Sequence, residues 1–327
     1  MQGNKELKQF LGTYGIYLVL VAMVFAMSFM SPVFLSQDNL LNIVRQVSVI
    51  GLISLGVTLV IISKGIDLSG GSTLALAAVM AASFGQAGDW AAKMYPGIPE
   101  LPVIFPIIVS MLVGTAVGTV NGVLVAKTGI PAFIATLGTY VSVRGLALLY
   151  SDGRPVSTLT ESYQYIGQGY ILGIPLPVIL FLLLALITWV MLNHTKFGKN
   201  IYAIGGNIVA AEVSGVNVQR NLIKIYMYAG MLSGLAGLVL SARLNTGQPG
   251  MGVAYELDAI AATTIGGTSH SGGIGTIQGA VVGALILGVL NNGLNLMGVS
   301  AYWQQIIKGG IIVTAVIIDM RKNAKKK

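Results

Sequence analysis

A series of apolar runs, each about as long as a lipid bilayer is thick, dominates this 327-residue sequence. A helix needs about 20 mostly apolar residues to cross the hydrocarbon core of a membrane, and the runs meet or approach that length. Only 9% of the residues are charged, against roughly 25% in a typical soluble domain. We therefore predict an all-α membrane protein. The runs are residues 14–30, 44–63, 72–88, 102–127, 131–150, 174–192, 221–241, 276–297 and 302–319.

A further segment, residues 254–268, is too short and too polar for an ordinary span. It reads "AYELDAIAATTIGGT". Short or broken helices of this kind occur where membrane transporters line a cavity with irregular backbone. With this segment counted, the prediction is about ten transmembrane helices.

The basic residues indicate the orientation of these helices. Cytoplasmic loops carry an excess of Lys and Arg. If the N-terminus is inside, ten crossings place most of the Lys and Arg on the inner side, including "RKNAKKK" at 321–327. Both termini are therefore expected in the cytoplasm, with the basic tail against anionic lipid. The run 14–30 is interpreted as a retained span rather than a signal peptide, and residues 1–327 as a single transmembrane domain.

Composition argues against several other classes of protein. The net charge of +8 does not indicate a nucleic-acid partner, because the basic residues flank apolar segments instead of covering a soluble face. The absence of cysteine excludes disulfides and thiolate metal sites. The two histidines, His194 and His270, lie too far apart in sequence to indicate a metal cluster. No Walker-type phosphate-binding motif occurs, so this chain is expected to hold no ATPase site.

Two connections on the predicted outer side are long and contain aromatic, proline and acidic residues. They are residues 88–102 and 151–175. One interpretation is that they are interfacial loops with an aromatic belt, which is the commoner case. The other is that they form a docking surface for an external partner. The sequence leaves both open.

Glycines at close helical spacing predict tight packing between helices. Examples are Gly114 with Gly118 and Gly279 with Gly283, with Gly288 further along. In lipid, small residues allow two helix backbones to approach closely, whereas leucine against leucine gains little over leucine against lipid.

Polar residues inside or beside the apolar runs are candidates for function, because they are costly in lipid. For Asp67 and Ser69, capping of a following helix is the favoured interpretation, and gating is the alternative. For the asparagines, hydrogen bonding between helices and lining of a path are equally favoured. The candidates for the translocation path or its gate are Asp67, Ser69, Asn121, Tyr255, Glu256, Asp258, Asn291 and Asn292, and Asn295 is a further asparagine within an apolar run.

Two segments in the two halves of the chain are weakly alike. Residues 118–134 align with residues 288–304, and Asn121 then matches Asn291. In the predicted topology the two segments cross the membrane in opposite directions. That arrangement is the one expected of an inverted repeat, with the substrate path near the repeat interface.

An enzyme is not expected. Ser269 and His270 are adjacent in "GGTSHSGG" (266–273), but neighbouring side chains point apart and do not form a nucleophile–base pair. An ion-coupled secondary carrier of a small neutral solute is the serious alternative. Such carriers usually hold ionisable residues deep in the helix bundle. Here we expect only amides and hydroxyls in the middle of the spans, which favours a neutral, polyhydroxylated solute and an energy source elsewhere.

The segment at 203–224 is polar, rich in small residues and placed after a basic inner turn. Asn207 is suited to cap a short helix, and small residues then recur on one predicted face. Because small side chains fit into a groove on another protein, we predict a cytoplasmic docking helix. The predicted face carries Ile208, Ala211, Glu212, Gly215 and Val216.

Several stretches together resemble the ribose/galactose-type permeases of ATP-binding-cassette (ABC) importers. They are "GGNIVAAEVSGVNV" (205–218), "SKGIDLSGGS" (63–72), "PAFIATLGT" (131–139), "YELDAIAATTIGGTSHSGGIGT" (255–276) and "LGVLNNGLNLMGVSAYWQQIIKG" (287–309). The resemblance implies a multi-pass protein of the bacterial plasma membrane that forms a homodimer. It implies a cytoplasmic ATPase, with two fused nucleotide-binding domains, that binds ATP and Mg²⁺, so that no cofactor is bound by this chain. It also implies an external binding protein that delivers a monosaccharide.

The resemblance also assigns a role to the cytoplasmic segment. Residues 203–220 correspond to the coupling segment, which transmits ATP-driven closure of the ATPase. The residues carried over to it are Asn207, Ala210, Ala211, Gly215 and Asn217, and Glu212 and Val216 of the predicted face complete the set of candidate coupling residues. Residues 93–102 and 302–313 look more like galactose/methyl-galactoside permeases than ribose permeases.

Overall fold

The computed structural model describes the backbone of residues 2–324 and the side chains of residues 14–321, and in this part of the chain almost every element is a helix. The helices are α1 (Gln2–Met30), α2 (Gln37–Ile62), α3 (Gly70–Phe84), α4 (Ile104–Thr128), α5 (Ala132–Tyr150), α6 (Glu161–Gln168), α7 (Leu176–His194), α8 (Lys196–Gly206), α9 (Ile208–Val213), α10 (Val218–Leu244), α11 (Tyr255–Ile265), α12 (Ile277–Leu296) and α13 (Ala301–Ala324). The strands are β1 (Val156–Ser157), β2 (Tyr170–Ile171), β3 (Ile174–Pro175) and β4 (Thr246–Gly247).

Each predicted apolar run overlaps a helix. Within the described residues, seven helices are long and apolar enough to cross a membrane, namely α2, α4, α5, α7, α10, α12 and α13. Two shorter apolar helices, Tyr14–Met30 within α1 and α3, accompany them. The prediction of an all-helical membrane protein is therefore confirmed.

Helix α2 forms the centre of the bundle. In its apolar window 89% of the residues are buried inside the protein, against 78% in α10 and in α12. A helix that is apolar on all sides is stable in such a central position, because every face meets another helix. Helices α4, α5 and α7 bury about a third of their windows or less, and α13 buries none of its window, Ala301–Arg321.

Glycines bring α4 and α10 into direct backbone contact. A methyl group added at Gly118 would overlap the carbonyl oxygen of Tyr226, and one added at Gly114 would overlap that of Gly230. The predicted packing role of Gly279 and Gly283 is also confirmed, because α12 meets the backbone of α11 there. These contacts follow the small-residue rule for helices in lipid.

Helices α3 and α11 are shorter than ordinary spans. The expected span at 72–88 is wrong in its extent: α3 has 15 residues, ends before Gly85 and begins only after an irregular segment, residues 65–69. Helix α11 has 11 residues and follows the irregular segment 248–254, which agrees with the short helix predicted near 254–268. At 1.5 Å per residue the two helices measure about 22 and 16 Å, so neither crosses about 30 Å of hydrocarbon without the irregular segment that precedes it.

Contacts at the ends of these segments define two opposite faces of the protein. On one face, β1 pairs with β4, and the Gln86 side chain donates to the Ser157 carbonyl at 2.9 Å. On the other face, the Lys64 Nζ atom contacts the Gly206 carbonyl at 3.4 Å, beside α9. The chain between Lys64 and Gln86 therefore runs from the α9 face to the opposite face, which we call the loop face. The loop face includes residues 151–175, which fold into α6 and a small β2–β3 hairpin.

Candidate functional site

A buried polar cluster holds the irregular segment 65–69 before α3. The Asp67 carboxylate, 2% exposed, accepts hydrogen bonds from the Ser69 amide at 2.8 Å and from the Ser69 hydroxyl at 2.7 Å. Asn121 of α4 donates its Nδ2 proton to Ser69 Oγ at 2.7 Å. The expected capping of α3 is therefore wrong: Asp67 bonds Ser69, the residue just before the helix, and the Ser69 side chain makes no capping hydrogen bond. The cluster joins segment 65–69 to α4, as expected of an interhelical asparagine.

Glu256 lies where the N-terminal ends of α3 and α11 meet. It is 6% exposed, and its Oε2 atom lies directly against Gly71. A side-chain carbon added at Gly71 would overlap this oxygen. The same added carbon would also overlap the carbonyl oxygen of Gly252. The partial positive charge of the two helix N-termini offsets part of the cost of burying this carboxyl group. Tyr255, the first residue of α11, is partly buried and packs against the core.

Asp258 forms a buried ion pair with Lys308. The Lys308 Nζ atom of α13 lies 3.0 Å from Asp258 Oδ2 of α11. The Asp258 side chain is 7% exposed and that of Lys308 is 26% exposed. An isolated charge at membrane depth is costly, so each residue requires the other. The pair connects α13 to the rest of the protein.

The asparagines of α12 have different surroundings. Asn292 and Asn39 of α2 exchange amide hydrogen bonds of 2.7 and 3.0 Å, which join the two helices. Asn295 accepts a hydrogen bond from the Gln304 side chain at 2.7 Å. Asn291 is 4% exposed, and its Oδ1 atom has no hydrogen-bond partner among the described residues. Hydrogen bonding between helices therefore accounts for Asn292 and leaves Asn291 unexplained.

Arg144 is a half-buried polar residue that the sequence did not single out as a candidate. It lies within α5, where its Nη1 atom donates hydrogen bonds to the Pro249 and Met251 carbonyls, the latter at 2.8 Å. The expectation that only amides and hydroxyls occupy the middle of the spans is therefore wrong. The irregular segment before α11 leaves carbonyls outside any helix, and these carbonyls bind the guanidinium group. An arginine within an apolar run was the available signal.

The predicted docking segment forms a short helix between two capping asparagines. Asn207 accepts a hydrogen bond from the Ala210 amide at 3.1 Å and begins α9. Asn217 accepts one from the Arg220 amide at 2.9 Å and begins α10. The predicted cap at Asn207 is confirmed, as expected for asparagine at this position.

The predicted face of this helix is wrong in two respects. Helix α9 ends at Val213, so Gly215, with a φ of +82°, and Val216 lie in the following turn and not on the helix. Ala211 is 3% exposed and packs against α8 and α10 instead of facing outward. The cause is that α9 lies on the bundle through Ala211. Its exposed apolar residues are Ile208, Val209 and Val213, beside the exposed Glu212.

Ser269 and His270 do not form a nucleophile–base pair. The Ser269 hydroxyl donates to Asp319 Oδ2 at 3.1 Å, while His270 Nε2 lies 2.9 Å from the Thr264 hydroxyl. Burial lowers the pKa of His270 below its ordinary value, and the Asp319 carboxylate counteracts part of that effect. Within the described residues, no group of three or more His, Cys, Asp or Glu side chains is suited to hold a metal ion.

The candidate residues thus fall into two separate regions. Asp67, Ser69 and Asn121 form one cluster inside the bundle, and Glu256 lies at the nearby start of α3. The predicted coupling residues lie on the α9 face, where no apolar neighbour covers Val209 or Val213. The first region is suited to shape an internal path, and the second to contact another protein.

Comparison with known proteins identifies relatives over nearly the whole chain. The family model described as "Branched-chain amino acid transport system / permease component" matches residues 39–316. The ribose import permease protein RbsC of Bacillus subtilis (strain 168) is 47% identical over 312 residues, which cover 95% of this chain and 93% of that protein. The galactose/methyl galactoside import permease protein MglC of Escherichia coli (strain K12) is 42% identical over 331 residues, which cover 99% and 98%. No solved structure matches the chain.

Proposed function

Because this chain belongs to the family of permease components of branched-chain amino acid transport systems, we propose that it is the membrane-spanning subunit of an ABC importer for a monosaccharide. The observation that carries this proposal is its similarity, over more than nine-tenths of its length, to ribose and galactose import permeases. These relatives are transport subunits and not enzymes. The comparisons favour this function over an ion-coupled secondary carrier, and they agree with a multi-pass protein of the bacterial inner membrane.

The sugar is ribose, galactose or a closely similar monosaccharide. The ribose relative is 47% identical to this chain and the galactose relative 42%, so these identities do not support the expected preference for galactose. In the proposed mechanism, an external binding protein docks on the loop face and releases the sugar into a transient cavity. Two copies of this chain line that cavity, and a cytoplasmic ATPase with two fused nucleotide-binding domains drives the cycle by binding ATP and Mg²⁺.

Ten membrane crossings, with both termini in the cytoplasm, fit this role. The seven long helices and α1 supply most of them. Segment 65–69 with α3 and segment 248–254 with α11 supply the others, because each runs between the α9 face and the loop face. In this arrangement the α9 face is cytoplasmic and accessible to an ATPase.

The coupling segment, residues 203–220, contacts the ATPase through α9. The support is its exposed apolar surface at Ile208, Val209 and Val213, of which Val213 is 85% exposed. Three apolar side chains exposed beside one another on a six-residue helix are suited to bind an apolar groove on another protein. The buried Ala211 holds α9 to the bundle, so that force on α9 reaches α8 and α10.

The path through the bundle is proposed to pass the meeting point of α3 and α11. Helix α11 carries Tyr255, Glu256 and Asp258, and α12 carries Asn291. Short helices joined to irregular backbone are typical of the interior of transporters. Asp67, Ser69 and Asn121 then shape the wall by fixing segment 65–69, as their hydrogen bonds support.

The test is sugar-stimulated ATP hydrolysis and sugar uptake by the reconstituted complex. We would co-express the chain with candidate sugar-ABC ATPase and binding-protein partners and compare the native chain with Val213→Asp. Gly215 is a poor test site, since its φ of +82° makes any side chain strained. Gln219→Asp is the matched control: it adds the same charge to an exposed residue in the first turn of α10, where a carboxylate is tolerated.

We expect hydrolysis and uptake to require the binding protein and sugar, to collapse in Val213→Asp and to persist in Gln219→Asp. Equal loss in both variants contradicts the docking role of α9. If no ATPase associates and vesicles containing only this chain accumulate sugar when an ion gradient is applied, the importer assignment is wrong. The protein is then an ion-coupled secondary carrier.

A further inference from the structure

We infer that Asp319 is a positioning residue that joins the coupling segment to α13 through the loop at residues 266–276, so that movement of α9 is transmitted to α13. The inference rests on the proposed function, because it states how force from an ATPase reaches the part of the bundle that is least packed. The 266–276 loop connects α11 to α12 on the α9 face.

One side of the 266–276 loop is bound to α8, the helix that leads directly into α9. The Tyr202 hydroxyl donates to the Gly275 carbonyl at 2.8 Å. Gly205 lies so close to the loop that an added methyl carbon would be 2.5 Å from the Gly273 amide nitrogen. The Gly273 amide itself donates to the Ile62 carbonyl, at the end of α2, at 2.8 Å. The loop is thus in contact with the last turns of both α8 and α2.

The other side of the 266–276 loop is bound to α13. Asp319 Oδ2 accepts hydrogen bonds from the Ser269 hydroxyl at 3.1 Å and from the His270 amide at 3.0 Å. Such bonds to a carboxylate are about twice as strong as bonds between neutral groups. One carboxylate oxygen therefore ties two consecutive loop residues to the end of α13.

Helix α13 has little other packing to determine its position. Its apolar window contains no buried residue, and it packs mainly against α11. Its other polar connection to α11 is the Lys308–Asp258 ion pair. Residues 308 and 319 are eleven positions apart, about 16 Å along a helix. Helix α13 is therefore held near its start by the Gln304–Asn295 hydrogen bond and the Lys308–Asp258 pair, and near its end by Asp319, so displacement at Asp319 tilts it about its start.

The 266–276 loop has the rigidity that transmission requires. The Ser269 amide donates to the Ile274 carbonyl at 2.9 Å, and the Gly272 amide donates to the Ser269 carbonyl at 3.0 Å. Gly272 and Gly273 have φ values of +81° and +72°, which close the turn in a conformation that favours glycine. Because the loop is bonded internally, a push from α8 moves it as one body against Asp319.

The first test is the number of sugars transported per ATP hydrolysed by the reconstituted complex. We compare Asp319→Ala, which removes the acceptor, with Asp319→Asn, which keeps one acceptor oxygen. The matched control is Asp38→Ala, which removes an exposed carboxylate from the first turn of α2. A simple loss of stability lowers transport and hydrolysis together and leaves their ratio unchanged.

We expect the ratio to fall about fivefold or more in Asp319→Ala, the lower end of typical coupling between two sites. Asp319→Asn should recover part of the loss, and Asp38→Ala should keep the native ratio. A native ratio in Asp319→Ala overturns the inference. Absence of binding-protein-dependent hydrolysis in the native complex instead overturns the proposed function.

The second test uses the serial order of the two connections. Tyr202→Phe removes the hydrogen bond on the α8 side of the loop and is expected to lower the same ratio. If the connections act in series, the double variant Tyr202→Phe/Asp319→Ala loses no more than the worse single variant. Losses that add fully indicate independent effects and overturn the inference.

The third test needs no partner protein. The chain has no cysteine, so introduced cysteines are the only thiols available for spin labels. Gly206 has open space around it, and Ile318 is 60% exposed, so both accept a label. We expect a narrow distance distribution for the Gly206→Cys/Ile318→Cys pair and a broad one when Asp319→Ala is added. An unchanged narrow distribution overturns the inference whether or not the importer assignment is right.

Discussion

Breaking the Lys308–Asp258 pair is expected to destabilise the protein unequally, depending on which residue is replaced. Lys308→Met leaves the Asp258 carboxylate unpaired with its side chain 7% exposed, and a buried charge without its partner costs about 3–5 kcal/mol. Asp258→Asn leaves Lys308, whose side chain is 26% exposed. Its flexible stem allows the ammonium group to reach water, so the expected cost is about 1–2 kcal/mol.

The assay is unfolding of the purified protein in mixed detergent micelles by titration with sodium dodecyl sulfate, followed by circular dichroism. The double variant Asp258→Asn/Lys308→Met has no unpaired charge and is expected to be more stable than Lys308→Met alone. Acidification should recover part of the stability of Lys308→Met, because protonation removes the charge of the lone carboxyl. Equal costs for the two single variants, or a greater cost for Asp258→Asn, refute the argument from burial.

Two further predictions concern packing and pH. Gly118→Ala should cost about 1–3 kcal/mol, because the methyl group meets the Tyr226 carbonyl, whereas Gly138→Ala in the same assay should be neutral or stabilising by up to about 1 kcal/mol, since nothing lies within 4 Å of its position. Burial lowers the pKa of His270, so the unfolded chain binds more protons just below about pH 6.5. Stability should therefore fall as the pH drops below about 6.5, until the folded His270 is protonated too. His270→Gln should lose this part of the pH dependence, and identical unfolding profiles for the native chain and His270→Gln contradict the argument.

The helices could be predicted from the sequence because hydropathy acts locally. Every predicted apolar run overlaps a helix, and the close approaches at Gly114, Gly118 and Gly283 follow from small residues at helical spacing. The resemblance of several motifs to one permease family was confirmed by relatives that cover the chain.

The partners of the polar residues could not be predicted in the same way. Asp258 and Lys308 are far apart in sequence, and their pairing depends on how α11 and α13 pack. The length of α3 depends on contacts of segment 65–69 with α4, and hydropathy carries no signal for those contacts. The face of α9 was predicted from spacing alone, whereas its orientation is decided by the contacts of Ala211 with α8 and α10.

The two short helices have a consequence for how the protein enters the membrane. Segment 65–69 and segment 248–254 carry backbone groups outside any helix, and such groups are not tolerated against lipid. Some of them acquire partners from other helices: the Ile66 carbonyl accepts a hydrogen bond from Thr136 of α5 at 3.2 Å, and the Met251 carbonyl accepts one from Arg144 of α5 at 2.8 Å. We therefore expect α3 and α11 to leave the translocon, or the surface of the bilayer, only after α5 has assembled with the bundle. Biogenesis of this chain would then depend on the order of helix assembly and not on the hydropathy of each segment alone.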